Sequence, residues 1–188
     1  MASLITPDEL NTYIGYTVPP DRATLMCELA SGTVRTWCRW NISRETQTFV
    51  LDGPGLDRIS IPTLYLYSVT SVTLDGKVLA ADAYSWTHAG QLYRPQGYCW
   101  TSGARNISIV AVHGYQDVPY AVKAATLSLA SARVASTAAM AANPTGLKTA
   151  ATGTVSRTWQ TPEPSDINAD LSTIQQVVLG PYRVPLAP

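Results

Sequence analysis

The sequence predicts an α+β fold: a small helical bundle with an inserted antiparallel β-region of hairpins, followed by an extended C-terminal arm ending in a short helix. Three observations lead there. Helix-forming stretches at 7–14, 20–40 and 118–140 bracket a strand-rich region at 46–113. That region carries two tight-turn signatures, Asp75-Gly76 and His88-Ala89-Gly90. Beyond residue 142 the sequence has no stripe of apolar residues until a last amphipathic stretch at 166–179. The expected organisation is therefore a body over 1–142 and an arm over 143–188.

The first helix begins where a hydroxyl cap, a proline and two acids come together, at Thr6-Pro7-Asp8-Glu9, and ends before Gly15. A second starts at Pro20-Asp21. There Met26, Leu29, Ala30, Val34, Trp37 and Cys38 recur at three- and four-residue spacing, which marks a buried stripe.

From Thr46 to His113 the chain turns to short runs rich in Val, Ile, Thr, Tyr and Trp, broken by turn residues. Ser68-Val69-Thr70-Ser71-Val72-Thr73-Leu74 and Lys77-Val78-Leu79 flank Asp75-Gly76, a pair suited to the positive φ angles of a type I′ hairpin turn. Ala83–Thr87 and Gln91–Arg94 flank the second turn. Ile107, Ile109 and Ala111 alternate along the last strand.

The third helix has almost no charge: Lys123 is its one ionised side chain before Arg133. Val122 and Leu129 share one face, and Leu127 and Val134 share another. A helix apolar on most sides is normally covered on most sides, by its own chain or by a second copy. Residues 143–166 are small, polar and Pro-containing, and fully extended at ~3.3–3.6 Å per residue they would reach roughly 80 Å. In the last helix Ile167, Leu171, Ile174 and Val178 line one face, and Gly180-Pro181 is the expected stop. An apolar face on a long tether needs somewhere to dock.

Composition narrows the function. Thirteen basic and thirteen acidic residues leave no net charge, and charged residues are 14% of the chain. The basic excess that neutralises nucleic-acid phosphates is missing. Arg outnumbers Lys ten to three, a preference shared with interfaces. Cys27, Cys38 and Cys99 are odd in number and lack metal-ligand spacing, so they read as buried free thiols rather than a disulfide framework or zinc site. The chain shows no signal-peptide pattern and no apolar run of membrane-spanning length, so an intracellular protein without an address is expected.

Catalytic constellations are not apparent. His88 and His113 lack motif context, Asp52 and Asp57 beside Gly53-Pro54-Gly55 lack a calcium-ligand series, and the glycines lack the Lys and Ser/Thr of a phosphate loop. No enzyme activity, cofactor or metal is expected. Tyr84, Trp86, Tyr93, Tyr98 and Trp100 crowd the β-region, so an aromatic-rich binding module, for example for glycans, is the alternative reading.

Several weak motifs in order resemble one family. They are the Thr6-Pro7-Asp8-Glu9-Leu10 start, Thr36-Trp37-Cys38-Arg39-Trp40, Val69–Gly76, Gly90-Gln91-Leu92-Tyr93-Arg94 and Trp100. The helix entrance His113-Gly114-Tyr115-Gln116-Asp117-Val118-Pro119 and the closing Leu179-Gly180-Pro181-Tyr182-Arg183 complete the series. The pattern covers nearly the whole chain and is similar to the head-to-tail adaptor (head-tail connector) proteins of long-tailed bacteriophages.

That resemblance implies a structural virion protein, assembled in the host bacterial cytoplasm. It would form a ring of its own copies, commonly twelve, beneath the portal protein and above a stopper or tail-completion protein. Genomic DNA would pass through the ring without specific binding, and no membrane would be involved. It also implies subunit packing through the third helix (Val122, Thr126, Leu129, Ala130, Arg133, Val134). Portal gripping would fall to the arm (Trp159, Ile167, Leu171, Ile174, Val178, Tyr182, Arg183).

Overall fold

The structure, a computed structural model, describes residues 3–142, 149–152, 155–158 and 171–185. Contacts group the chain into two compact units, 1–36 with 120–180, and 37–119 with 181–188.

The first unit is built on helices. α1 (Pro7–Ile14) carries a complete capping box: Glu9 N–H donates to Thr6 Oγ1 (3.1 Å), and Thr6 N–H donates to Glu9 Oε2 (2.8 Å). Gly15, at φ 79°, closes it through its N–H to Asn11 O. α2 (Pro20–Cys38) contributes Ala23, Met26, Cys27, Ala30, Ser31 and Val34 to the core of this unit. Leu29, expected on that stripe, is 47% exposed, because at about 100° per residue it falls far round the helix from the Ala23–Ala30–Val34 line. Trp37 is half-buried.

α3 (Tyr120–Ala142) buries Val122, Ala125, Thr126, Leu129, Ala130 and Val134, an arc of about half its circumference, with Leu127 half-buried at its edge. Three polar ties bind the unit. Lys123 Nζ meets Glu9 Oε1 at 2.7 Å, Arg133 donates to Thr33 Oγ1 at 2.8 Å, and Arg22 donates to Val134 O at 3.3 Å and to Thr137 Oγ1.

The arm is less uniform than its composition suggests. β8 (Thr149–Thr152) and β9 (Val155–Thr158) pair antiparallel as a hairpin, where small residues hide any alternation in the sequence. α4 (Thr173–Leu179) begins later than residue 166, since Ser172 and Gln175 form a capping box; residues 166–170 lie outside the described ones. Gly180 does not stop the helix in a left-handed conformation. It stays right-handed (φ −48°), and the chain runs into a 3₁₀ turn over Gly180–Tyr182.

The second unit is a β-structure in two sheets. The larger has the order β1-β7-β3-β4, comprising β1 (Glu45–Gly53), β7 (Gly103–His113), β3 (Leu66–Leu74) and β4 (Lys77–Val78). The smaller has the order β2-β6-β5, comprising β2 (Arg58–Ser60), β6 (Gln91–Tyr93) and β5 (Ser85–Trp86). Every pairing between these strands is antiparallel. β7, in the middle, alternates as its sequence requires, burying Ile107, Ile109, Ala111 and His113. Phe49, Ile59, Leu66, Val72, Leu92 and Trp100 complete the core around them. Asp75 (φ 50°) and Gly76 (φ 78°) make the β3–β4 turn.

Candidate functional site

One concavity of the second unit is shaped by a glycine. Gly114 follows β7 at φ 92°, and a Cβ there would lie 2.4 Å from Ser43 O. This close approach lets Tyr115 N–H donate to Ile42 O (2.8 Å), while Tyr115 O accepts from Arg44 N–H (2.9 Å) and Gly114 N–H donates to Tyr65 O (2.8 Å). The end of β7 is thereby bound to the chain entering β1 and to the chain entering β3.

Between them opens a cleft of about 280 Å³ lined by Arg44, Tyr65, Tyr67, Gly114, Tyr115, Gln116 and Asp117. Tyr65 stacks between Tyr115 (5.1 Å, 26°) and His88 (5.8 Å, 14°). The Arg44 guanidinium lies 3.5 Å from the Tyr67 ring centre and donates to Gln116 Oε1 at 2.8 Å. Burial raises the Tyr115 phenol pKa, with Tyr182 and Tyr65 adding to it, so the ring stays neutral at physiological pH. Flat aromatic walls beside a fixed guanidinium suit a ring-shaped or planar group that offers an acceptor.

Proton-transfer machinery does not converge on this cleft. His88 Nδ1 sits 2.9 Å from Leu66 O. His113 is 1% exposed, with Nε2 2.9 Å from Gln47 Oε1 and Nδ1 3.2 Å from Thr63 Oγ1. Burial lowers its pKa, and Glu45 at 3.8 Å opposes that only in part, which suits a neutral structural imidazole. Cys38 and Cys27 are buried, and desolvation pushes each thiol up to about 11. Cys99, expected to be buried with them, is exposed. Among the described residues no group of three or more His, Cys, Asp or Glu is placed to hold a metal ion. No described helix is long and apolar enough to cross a membrane.

The arm residues fall into three groups. Leu171 is buried within the first unit, as is Leu179, and Gln175 Nε2 reaches Ala125 O at 3.5 Å. Ile174 and Val178 point outward with Val177 between them, at 77%, 39% and 72% exposure. Tyr182 and Arg183 belong to the second unit. There Trp40 Nε1 donates to Tyr182 O (2.7 Å), the Arg183 guanidinium lies 4.8 Å from the Trp37 ring centre, and Val184 N–H donates to Cys38 O (3.0 Å). Trp159 and Ile167 lie outside the described residues.

On α3, Val122, Thr126, Leu129, Ala130 and Val134 are buried inside the first unit, and Arg133 is engaged with Thr33. The outward apolar side chains of that unit include Leu25 and Leu29 on α2, Tyr120 at the start of α3 and the α4 face.

The aromatic cluster of the β-region is not an exposed platform. Trp100 is fully buried, Tyr84 and Trp86 pack against the core, and Tyr98 alone of the five is largely open, at 61%. Sequence reasoning missed the cleft residues Arg44, Tyr65 and Tyr67, which carry no motif. The one sequence signal for the cleft was the Gly114-Tyr115 pair in the helix entrance.

Residues 3–136 match the family model for head completion proteins, which is well over half of the chain. The chain belongs to the head completion protein family. Two solved structures share this family member's fold at 10% sequence identity. One is the "Neck of native GTA particle computed with C12 symmetry", with a TM-score of 0.61 over 96% of this chain and 89% of the other. The second is the "Neck of empty GTA particle computed with C6 symmetry", with a TM-score of 0.54 over 98% and 92%. No curated protein matches the chain in sequence.

Proposed function

We propose that this head completion protein is a non-enzymatic structural component of a bacteriophage neck. It assembles as a ring of its own copies, a dodecamer, that joins the portal protein to a stopper or tail-completion protein and lines the DNA exit channel. The observation that carries this reading, beyond family membership, is the outward apolar face of α4. Ile174, Val177 and Val178 lie side by side in water on a capped helix, a cost that makes sense when a partner covers them. A near-absence of net charge fits a conduit wall that lets DNA slide.

In this reading the arm, 143–188, grips the portal. Ile174 and Val178 make contact, Leu171 anchors the helix, and Tyr182 with Arg183 holds the chain end on its own β-unit; Trp159 and Ile167 extend the contact. The buried α3 residues give the bundle the rigidity that ring contacts need. Electron microscopy of the protein alone and mixed with portal tests the reading: rings, free or portal-bound, are expected, and a persistent monomer in both samples overturns it.

The Tyr65–Tyr67–Tyr115 cleft favours a second reading, a glycan-binding module. That reading requires a monomer whose melting temperature rises with added oligosaccharide.

A further inference from the structure

We propose that the β8–β9 hairpin of one copy adds as an extra strand pair to the free edge of β1 in a neighbouring copy. The inference rests on the ring reading and identifies a contact within it. Two unfinished hydrogen-bonding edges point to it.

The first is β1. Among the described residues it has a single neighbour in the order β1-β7-β3-β4. From Glu45 to Asp52 the backbone groups on its other side therefore have no strand partner, about 26 Å of template, while at Gly53 the N–H donates to Asn106 Oδ1. Long edges are normally blunted by lysine, proline, a bulge or a covering element. From Thr46 to Leu51 this strand has no charge and no proline. Its bulge falls only at the far end, between Leu51 and Gly53. Thr46, Gln47, Thr48 and Val50 are all exposed.

The second is the hairpin itself. Two four-residue strands form a sheet of their own, and an isolated two-stranded ribbon is marginal in water. Ala150 and Ala151 add little strand propensity. A third strand would satisfy the outer backbone groups of both partners, the usual mode of strand addition.

Charge agrees with the pairing. Arg157 is the one ionised residue of Thr149–Thr158, whereas β1 is bounded by Glu45 and Asp52. Within one chain the hairpin and β1 belong to separate sheets, so neither satisfies the other. A second copy, which the ring reading sets alongside, brings the Arg157 hairpin to the edge bounded by Glu45 and Asp52.

Hydrogen exchange and cysteine cross-linking on the full-length chain test this. In assembled protein the β1 amides should exchange at least about tenfold more slowly than in dissociated protein. Single cysteines at Thr46, Thr48 or Val50, each combined with Ser156→Cys in a Cys99→Ser background, should give an intermolecular disulfide in at least one register. Thr48→Lys with Val50→Lys, both at exposed positions, should leave the circular dichroism spectrum unchanged and weaken assembly at least about tenfold. Rings that form with unprotected β1 amides and no cross-link would overturn the strand pairing and leave the ring reading standing. Cross-links from β1 to portal rather than to Ser156→Cys would overturn the choice of occupant. Absence of any ring, alone or with portal, would remove the underlying reading.

Discussion

Gly114 shows how one backbone angle creates a site. Its left-handed φ and its approach to Ser43 both exclude a side chain, so Gly114→Ala must push the chain entering β1 away from the end of β7. The expected cost is about 1–3 kcal/mol, read as a lower urea midpoint, together with altered fluorescence of the Tyr65–Tyr115 stack.

His113 governs a different property. Its folded-state pKa lies below the ordinary value of 6.5, so the unfolded chain binds a proton more readily. Stability from this group is complete above that value and is lost as pH falls through it towards the folded pKa. Denaturation midpoints at about pH 7.5 and about pH 5 should therefore differ, and His113→Gln should flatten the difference. An unchanged slope in the variant would assign the acid sensitivity elsewhere.

Helices and hairpins were the most legible features in sequence. The Thr6–Glu9 cap, the Asp75-Gly76 turn and the Ile107-Ile109-Ala111 alternation each depend on local chemistry, and each stands where the residues place it. Three features depended on more than local pattern. Leu29 has the spacing of a core residue, but helix phase turns it outward. The β8–β9 hairpin is built of small residues without alternation. The cleft joins Arg44, Tyr65 and Tyr115, which only strand pairing brings together.

Two element-level tests follow from packing. Leu129, 1% exposed on α3, should cost about 2–5 kcal/mol when changed to Ala, measured by thermal or urea unfolding. Replacing Asp75-Gly76 by Val-Val should lower the melting temperature. β-branched residues resist positive φ, and Asp75 also accepts from Thr101 Oγ1 (2.5 Å) and Asn106 Nδ2 (3.0 Å). An unaltered melting curve would show that this hairpin bears little on the sheet.

For the whole molecule, the division into body and arm is open to a direct test. Truncation after Ala142 removes α4, Tyr182 and Arg183, and with them the Trp40 and Cys38 backbone partners. The truncated protein should fold with a lower midpoint and fail to bind portal in co-sedimentation; undiminished binding would place the portal contact on the body.

The bare flank of β1 also bears on timing. A strand uncharged from Thr46 to Leu51, with no second neighbour among the described residues, is a template for whichever extended backbone arrives first. In a cell crowded with nascent chains, such a subunit is safest when produced alongside the molecules that complete it and consumed as fast as it appears. Order of synthesis then matters as much as affinity, because delay favours fibres over particles.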